Sequence, residues 1–320
     1  MATPHFSPLV FEPYLKTVIW GGNGIAKYKG IATRLRNIGE SWELSGMPGK
    51  ESVVARGAFR GRTLTDLLKD SPQEILGTAV YERFGATFPL LVKIIDAHDK
   101  LSVQVHPDEA IARRRHDSMG KAEMWYVVSA TPDAKIYAGL SADITPEDYE
   151  RRVADNTMMD VVVEHSSRVG DVYFLPPGCI HAIGAGNLLV EIQQASDITY
   201  RIYDYDRRDA YGNPRELHTD LAKDAIDYRA GDCKQDVSGE GILVRCPYFT
   251  VSHLSLDDNT SRELTFDSFM VVMCVRGSVV ISSDGTDVIL TQGTTALIPA
   301  IMGKATLSGT ASVLLATVEV

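Results

Sequence analysis

Two strand-like segments carry polar side chains on a face that strands usually turn toward an apolar core. In LSVQVHP alternate residues share a face, so Gln104 and His106 point the same way. In KAEMWYV the same rule places Lys121 and Glu123 together. Burying a lysine and a glutamate is costly unless a metal ion or a substrate compensates the charges. The two segments therefore predict a polar face that binds a ligand.

A third segment, GDVYFLPPGCIHAIGAGN, adds another histidine. Its glycines and prolines predict a strand, a tight turn and a return, with His181 just after the bend. Together Gln104, His106, Glu123 and His181 offer two nitrogen and two oxygen ligands. This mixed set favours Zn(II), with Mn(II), Fe(II) and Co(II) as alternatives, and it disfavours Ca(II), which prefers oxygen ligands.

The elements that carry these residues are mostly short strands. Runs of four to nine residues, rich in Val, Ile, Tyr and Phe and separated by Gly, Pro, Asp or Ser, predict strands at WELSG, ESVVARGAF, FPLLVKII, LSVQVH, EMWYVVSA, KIYAGL, DVYFLP, LLVEIQQ and TYRIYDY. Without regular βαβ alternation, such strands indicate a sandwich or a barrel. Helical patterns are fewer, and we predict helices at 64–69, 73–84, 107–116 and 145–154.

The length of 320 residues is enough for about two domains. The apolar pattern lapses within 227–241, so we predict domains at 1–235 and 236–320. The second is almost entirely β and includes a hairpin turn at Asp284-Gly285. A glycine followed six residues later by a proline occurs at Gly170 and again at Gly293, which suggests two copies of one β unit, the second without polar ligands.

The charge balance excludes some classes of partner. The formal net charge is −10, and the one dense basic run, RRRH, falls within a predicted helix, so we expect no nucleic-acid partner. No apolar stretch is long enough for a membrane helix, and the N-terminus does not resemble a secretory signal. The four cysteines form no CxxC pair, which favours a reduced, cytoplasmic chain.

These residues also carry a resemblance to a known family. GDVYFLPPGCIH resembles the second cupin motif, and LSVQVHP with KAEMWYV is similar to the first motif of type I mannose-6-phosphate isomerases. Further similar segments follow in order between about residues 10 and 210, namely IWGG, GESWELSG, FPLLVKIIDA and EIQQASDITYRIYDYDR. The resemblance, which fits the short bacterial form, implies a mainly β, cupin-type double-stranded β-helix (jelly roll) with helical insertions. It also implies a smaller, degenerate cupin-like second domain without metal.

The resemblance assigns roles by position. It implies zinc ligands at Gln104, His106, Glu123 and His181, and proton transfer by Glu191 or Lys121. It further implies an essential Arg201, with phosphate or sugar contacts at Ser102, Lys93 and Arg207. The sequence departs from the family's common KPE motif by having Ala122, and it has arginine at 207 where some members have lysine. Neither change removes a charge.

The implied activity is the interconversion of mannose 6-phosphate and fructose 6-phosphate through an enediolate. A metal would stabilise the developing negative charge, while Glu191 or Lys121 moves the proton. Because the net charge repels an anionic ester, local cations must bind its phosphate. Two alternatives remain open: an Fe(II) cupin dioxygenase, and a non-catalytic module that binds sugar phosphates. The sequence does not indicate the oligomeric state.

Overall fold

The computed structural model describes residues 6–208, 211–237, 239–258 and 260–318, and this part of the chain is mainly β, as predicted. Its strands form three antiparallel sheets. No helix in the described ranges is long and apolar enough to cross a membrane.

The first sheet has seven strands. Their spatial order is β15 (Lys234–Gln235), β10 (Val172–Leu175), β7 (Glu123–Ala130), β12 (Asn187–Gln194), β5 (Leu90–Ala97), β3 (Ile38–Ser45) and β2 (Tyr14–Gly22). The second sheet has six strands. Their order is β13 (Tyr200–Tyr203), β6 (Val103–Val105), β11 (His181–Ile183), β8 (Lys135–Leu140) and β14 (Gly231–Asp232), with β9 (Val162–Ser166) also paired to β8.

The third sheet has nine strands and is built mainly from the C-terminal part of the chain. Its order is β16 (Gly241–Arg245), β17 (Thr250–Leu256), β22 (Lys304–Thr317), β19 (Met270–Ser283), β21 (Thr294–Ile298), β1 (Leu9–Glu12) and β4 (Val53–Val54), with β18 (Ser261–Thr265) on β22 and β20 (Thr286–Thr291) on β19. Since β1 and β4 join this sheet, the N-terminal segment packs with the C-terminal part. The division at 235/236 stays a prediction.

The helices are short. They are α1 (Gly24–Lys29), α2 (Leu64–Asp70), α3 (Pro72–Leu76), α4 (Thr78–Phe84), α5 (Glu109–His116), α6 (Pro146–Ala154) and α7 (Thr219–Lys223), with 3₁₀ turns at Met158–Val161 and Ala300–Met302. The helix predicted over 73–84 is divided at Gly77. This residue has φ +87°, outside the helical range, and a Cβ there would lie 2.4 Å from the Asp267 carbonyl oxygen, so the break between α3 and α4 requires glycine.

Two further local predictions have different outcomes. The strand predicted over ESVVARGAF is reduced to Val53–Val54, because the chain turns at Gly57, where φ is +85°. The predicted hairpin turn is confirmed: Asp284 and Gly285 have φ of 47° and 72° between the paired residues Ser283 and Thr286. Positive φ at both central positions is the geometry that Asp-Gly favours.

The alternation of side chains explains how the fold positions a polar interior. On β7 and β12, Met124, Val190 and Ile192 pack into a core shared with the third sheet, through residues such as Val271 and Leu314. Fully burying each such side chain contributes about 1.5–3 kcal/mol. The neighbouring residues on these strands must then face the six-stranded sheet. Apolar packing on one face therefore fixes which polar side chains point inward.

Candidate active site

Two rows of side chains meet between the first two sheets. In the seven-stranded sheet, cross-strand pairing aligns Trp42 with Lys93, Lys93 with Glu191, and Glu191 with Trp125. In the six-stranded sheet, Gln104 of β6 pairs with both His181 of β11 and Arg201 of β13. Residues far apart in sequence are thereby brought to one place.

His106, Glu123 and His181 form a compact, buried cluster. Their potential ligand atoms all lie within 4.8 Å of one another. The Nε2 atom of His106 is 3.5 Å from Glu123 Oε2, and Nε2 of His181 is 3.4 Å from Oε1. These separations allow one cation to contact all three side chains.

Hydrogen bonds orient both imidazole rings toward that point. Nδ1 of His106 lies 2.8 Å from the Ile198 carbonyl oxygen, and Nδ1 of His181 lies 2.9 Å from the Cys179 carbonyl oxygen. A carbonyl only accepts, so each Nδ1 carries the proton and each Nε2 presents its lone pair. Burial, assisted by the nearby charge of Lys121, lowers the pKa of His106 to about 4, and burial also lowers the pKa of His181. Both rings are then neutral near pH 7, as metal ligands must be.

Glu123 supplies the observation that best indicates a cation. The side chain is fully buried, and neither carboxylate oxygen has a hydrogen-bond partner among the described residues. Burial opposes ionisation, but Lys121, 3.0 Å from Oε2, and the two neighbouring histidines together hold the pKa of Glu123 well below its usual range. The Lys121 ammonium contacts only Oε2, and Oε1 lies 3.4 Å from Nε2 of His181 without a hydrogen bond, so a cation between the histidines would compensate the remaining cost of burial. The residues present therefore fit a divalent metal.

Gln104 completes the predicted ligand set by position. Its Nε2 lies 3.2 Å from Nε2 of His181. The oxygen and nitrogen of a side-chain amide are told apart by their hydrogen bonds, and a half-turn about the last side-chain bond of Gln104 would place its Oε1 where Nε2 now lies. Gln104 is thus beside the cluster, and its role as a ligand stays a prediction.

A polar cavity of about 330 Å³ adjoins this cluster. Among the predicted site residues, Lys93, Ser102, Gln104, Lys121, Glu191 and Arg201 line it. Lys121 Nζ is 3.1 Å from Nε2 of His106, which places the lysine between the cluster and the cavity. A molecule in the cavity would contact Gln104 and Lys121, the two lining residues that lie beside the cluster.

Glu191 is held in a fixed orientation inside the cavity. Its Oε1 accepts a hydrogen bond from Lys93 Nζ at 2.8 Å, and its Oε2 accepts one from Trp125 Nε1 at 3.0 Å. Lys93 also donates to Gln193 Oε1 at 2.8 Å, and its side chain is only 7% exposed. Lys93 therefore binds the Glu191 carboxylate, and its predicted phosphate or sugar contact stays a prediction.

Arg207 binds partners outside this cavity. The Arg207 guanidinium donates to Asp204 and to the Lys100 carbonyl oxygen, and Arg207 is not among the residues that line the cavity. Arg207 forms ion pairs with Asp204 and Asp99, outside the cavity. Its predicted phosphate or sugar contact stays a prediction.

Arg201 and Arg215 do line the cavity. Arg201 Nε donates to Ser102 Oγ at 3.3 Å, and Arg215 Nε donates to Asp204 Oδ2 at 2.7 Å. Burial opposes the charge of Asp204, but Arg215 and Arg207 lower its pKa overall. An ionised Asp204 thus fixes Arg215 at the cavity wall.

Sequence reasoning missed Arg215, Lys16 and Glu40 as cavity residues. Lys16 Nζ lies 2.7 Å from Glu40 Oε1, and Trp42 Nε1 donates to Glu40 Oε2 at 2.8 Å. The burial of Glu40 was detectable in principle, because it lies on the same face of GESWELSG as Trp42. For Arg215, in a loop, no local pattern gave a signal.

Comparisons with known proteins agree with this architecture. A model of the type I phosphomannose isomerase catalytic domain matches residues 9–133, and a mannose-6-phosphate isomerase cupin domain model matches residues 240–318. The chain is 34% identical to a mannose-6-phosphate isomerase of Streptococcus mutans over 86% of its own length and 87% of the relative's. The chain belongs to the type I phosphomannose isomerase family.

Another relative and a solved structure also support membership of the type I phosphomannose isomerase family. The chain is 33% identical to the probable mannose-6-phosphate isomerase GmuF of Bacillus subtilis, over 95% of this chain and 96% of that one. A crystal structure of a mannose 6-phosphate isomerase from Bacillus subtilis superposes with a TM-score of 0.86 at 29% identity, covering 98% of this chain and all of the other. The predicted cupin fold class and the predicted enzyme family are confirmed.

Proposed function

We propose that this protein interconverts mannose 6-phosphate and fructose 6-phosphate in a reaction that depends on one divalent metal ion per chain. The observation that carries the proposal is the buried His106–Glu123–His181 cluster beside a polar cavity that Glu191 and Lys121 line. The names of relatives matched over nearly the whole chain support the choice of substrate.

His106, Glu123 and His181 would hold the metal, with Gln104 as a fourth ligand. Two imidazoles, a carboxylate and an amide oxygen suit zinc best, with Mn(II), Fe(II) and Co(II) as alternatives. When bound, the ion supplies Lewis acidity that stabilises negative charge on the sugar oxygens. The cytoplasmic location that the sequence favours stays a prediction.

Proton transfer between C1 and C2 of the sugar is assigned to Glu191. Its carboxylate lines the cavity, and hydrogen bonds from Lys93 and Trp125 fix its position, as proton transfer requires. Removal of the proton from one carbon gives an enediolate, and its return to the other completes the isomerisation. Lys121 remains the rival base, since it lines the same cavity.

The phosphate is assigned to Arg201 and Arg215, together with Ser102. Both guanidinium groups reach the cavity, and arginine can donate two parallel hydrogen bonds to a phosphate. Burial lowers the pKa of Arg201, but arginine stays protonated in proteins. A dianionic ester would thereby find local positive charge despite the net charge of −10.

The test is a coupled assay of mannose 6-phosphate turnover on chelator-treated protein, to which single divalent metals are then returned. The proposal expects loss of turnover after chelation and recovery with zinc or one of the alternatives. A chain that binds the sugar phosphate without turnover under every metal would be a binding module. Oxygen consumption in the presence of Fe(II) would instead identify a dioxygenase.

A further inference from the structure

A buried carboxylate, Asp204, binds two arginines at the edge of the proposed active site. The residue is only 5% exposed. Its Oδ2 accepts a hydrogen bond from Arg215 Nε at 2.7 Å, and its Oδ1 accepts hydrogen bonds from both Arg215 and Arg207. Arg215 lines the cavity, whereas Asp204 is not among the residues that line it. Any effect of Asp204 on a molecule in the cavity therefore acts through Arg215.

The backbone at Asp204 forms a tight turn that fixes the direction of its side chain. Tyr205 and Asp206 have φ of 56° and 53°, and the Arg207 N–H donates to the Asp204 carbonyl oxygen at 3.1 Å. Two consecutive positive φ angles are unfavourable for residues other than glycine, and they persist only where surrounding contacts hold them. One such contact is the Lys100 ammonium, which lies 3.7 Å from the centre of the Tyr205 ring. A turn held against its backbone preference indicates that the placement of Asp204 serves the neighbouring site.

The second arginine of the cavity depends on the same loop. Arg201 Nη1 donates to the Glu216 carbonyl oxygen at 2.8 Å, and the Arg201 N–H donates to Nδ1 of His218 at 3.2 Å. Glu216 directly follows Arg215 in the chain. The residue that Asp204 holds is thus bonded to the residue that orients the Arg201 guanidinium.

The charges of the two cavity arginines make such support necessary. Burial and the nearby charge of Arg215 both lower the pKa of Arg201, while the charge of Asp204 acts in the opposite direction. Two like charges at one wall repel each other and favour separation. Asp204 offsets this repulsion and orients Arg215 at the same time. A ligand then meets guanidinium groups that are already ordered, which lowers the entropy cost of binding.

We propose that Asp204 is a positioning residue that holds Arg215 directly, and Arg201 through the loop, in the arrangement that binds the phosphate of a sugar phosphate. The identity of the ligand rests on the proposed function, whereas the arrangement rests on the contacts of Asp204. A purely electrostatic role has the opposite consequence. Removing a negative charge beside two arginines would by itself strengthen the binding of an anion, whereas loss of their orientation weakens it.

The test compares Asp204→Asn with the wild type in steady-state kinetics and in calorimetric titration with inorganic phosphate. We expect the KM for mannose 6-phosphate and the Kd of phosphate to rise about 2- to 12-fold, the cost of ordering one long side chain on binding, with kcat nearly unchanged. Asp99→Asn is the matched control, because Asp99 lies 3.7 Å from Arg207 outside the cavity and the substitution removes the same charge. It should not raise either constant.

The double variant Asp204→Asn/Arg215→Ala separates positioning from general damage to the fold. Because Asp204 acts through Arg215, this variant should bind phosphate no more weakly than Arg215→Ala alone. A further loss of affinity in the double variant would overturn the proposal. An unchanged or lower Kd of phosphate in folded Asp204→Asn would overturn it as well.

Two further measurements keep the test decisive. If Asp204→Asn does not fold, Arg215→Lys replaces it, since lysine keeps the charge and loses the two-point hydrogen bond to Asp204. Wild-type phosphate affinity in Arg215→Lys would then overturn the proposal, and weaker affinity is expected. If the wild type does not turn over mannose 6-phosphate, the proposed function has failed, and the phosphate titrations still test the positioning by Asp204.

Discussion

Replacing Arg215 with alanine is expected to weaken recognition of the phosphate while leaving the reacting carbons in place. Arg215 lines the cavity through a guanidinium whose orientation is fixed by two hydrogen bonds to Asp204. A hydrogen bond to a charged group contributes about 1.5–3 kcal/mol. The side chain is 26% exposed, so solvent screening favours the lower end of that range.

The expected result for Arg215→Ala is a KM for mannose 6-phosphate raised roughly 10- to 30-fold, with kcat nearly unchanged. Inorganic phosphate, used as a competitive inhibitor, should lose affinity by a similar factor. The freed charge of Asp204 adds repulsion, although Arg207 still pairs with it.

Arg207→Ala is the matched control, because Arg207 binds the same carboxylate from outside the cavity. It should change KM much less than Arg215→Ala does. Two results would refute the reasoning: an unchanged KM in Arg215→Ala, or a larger rise in Arg207→Ala. The second result would restore the phosphate contact that the sequence resemblance suggested.

Two further predictions concern buried carboxylates. Glu191→Gln should lower kcat by roughly 10²- to 10⁴-fold with little effect on KM, because it removes the proposed base. Lys121→Met is the comparison, and both variants must still bind zinc. A larger loss of kcat in Lys121→Met would identify the lysine as the base. Burial opposes ionisation of Glu40, but Lys93 and Lys16 lower its pKa to about 2. The difference from the ordinary value of 4.5 corresponds to roughly 3 kcal/mol of stability, present above pH 4.5 and lost as the pH falls toward 2. In urea unfolding, the free energy of unfolding of the wild type should fall between pH 4.5 and 2, and that of Glu40→Gln should fall less. An equal dependence of this free energy on pH in the two proteins would contradict the prediction.

The sequence predicted the inward face of the strands well, because that face follows from a local rule. Once Met124, Val190 and Ile192 are assigned to an apolar core, the alternation of a strand turns Glu123 and Glu191 the other way. Turn chemistry was equally local, as at Asp284-Gly285, where both residues adopt positive φ.

Ion pairs between residues that are distant in the sequence were not predictable from a local rule. Lys93 and Arg207 are of the residue types expected to bind phosphate, but in the folded chain they form ion pairs with Glu191 and Asp204. Arg215 lies in a loop without periodicity, so only the folded chain reveals that it reaches the cavity. The pairing of β1 with β21 is likewise set by tertiary packing and not by local pattern.

The proposed reaction depends on one divalent cation that binds among His106, Glu123 and His181. Calorimetric titration of zinc into chelator-treated protein tests this most directly, with Glu123→Gln compared against the wild type and circular dichroism confirming that the variant is folded. We expect one ion per wild-type chain and a dissociation constant at least about tenfold higher in the folded variant. No stoichiometric binding to the wild type, or equal affinity in the two proteins, would contradict it.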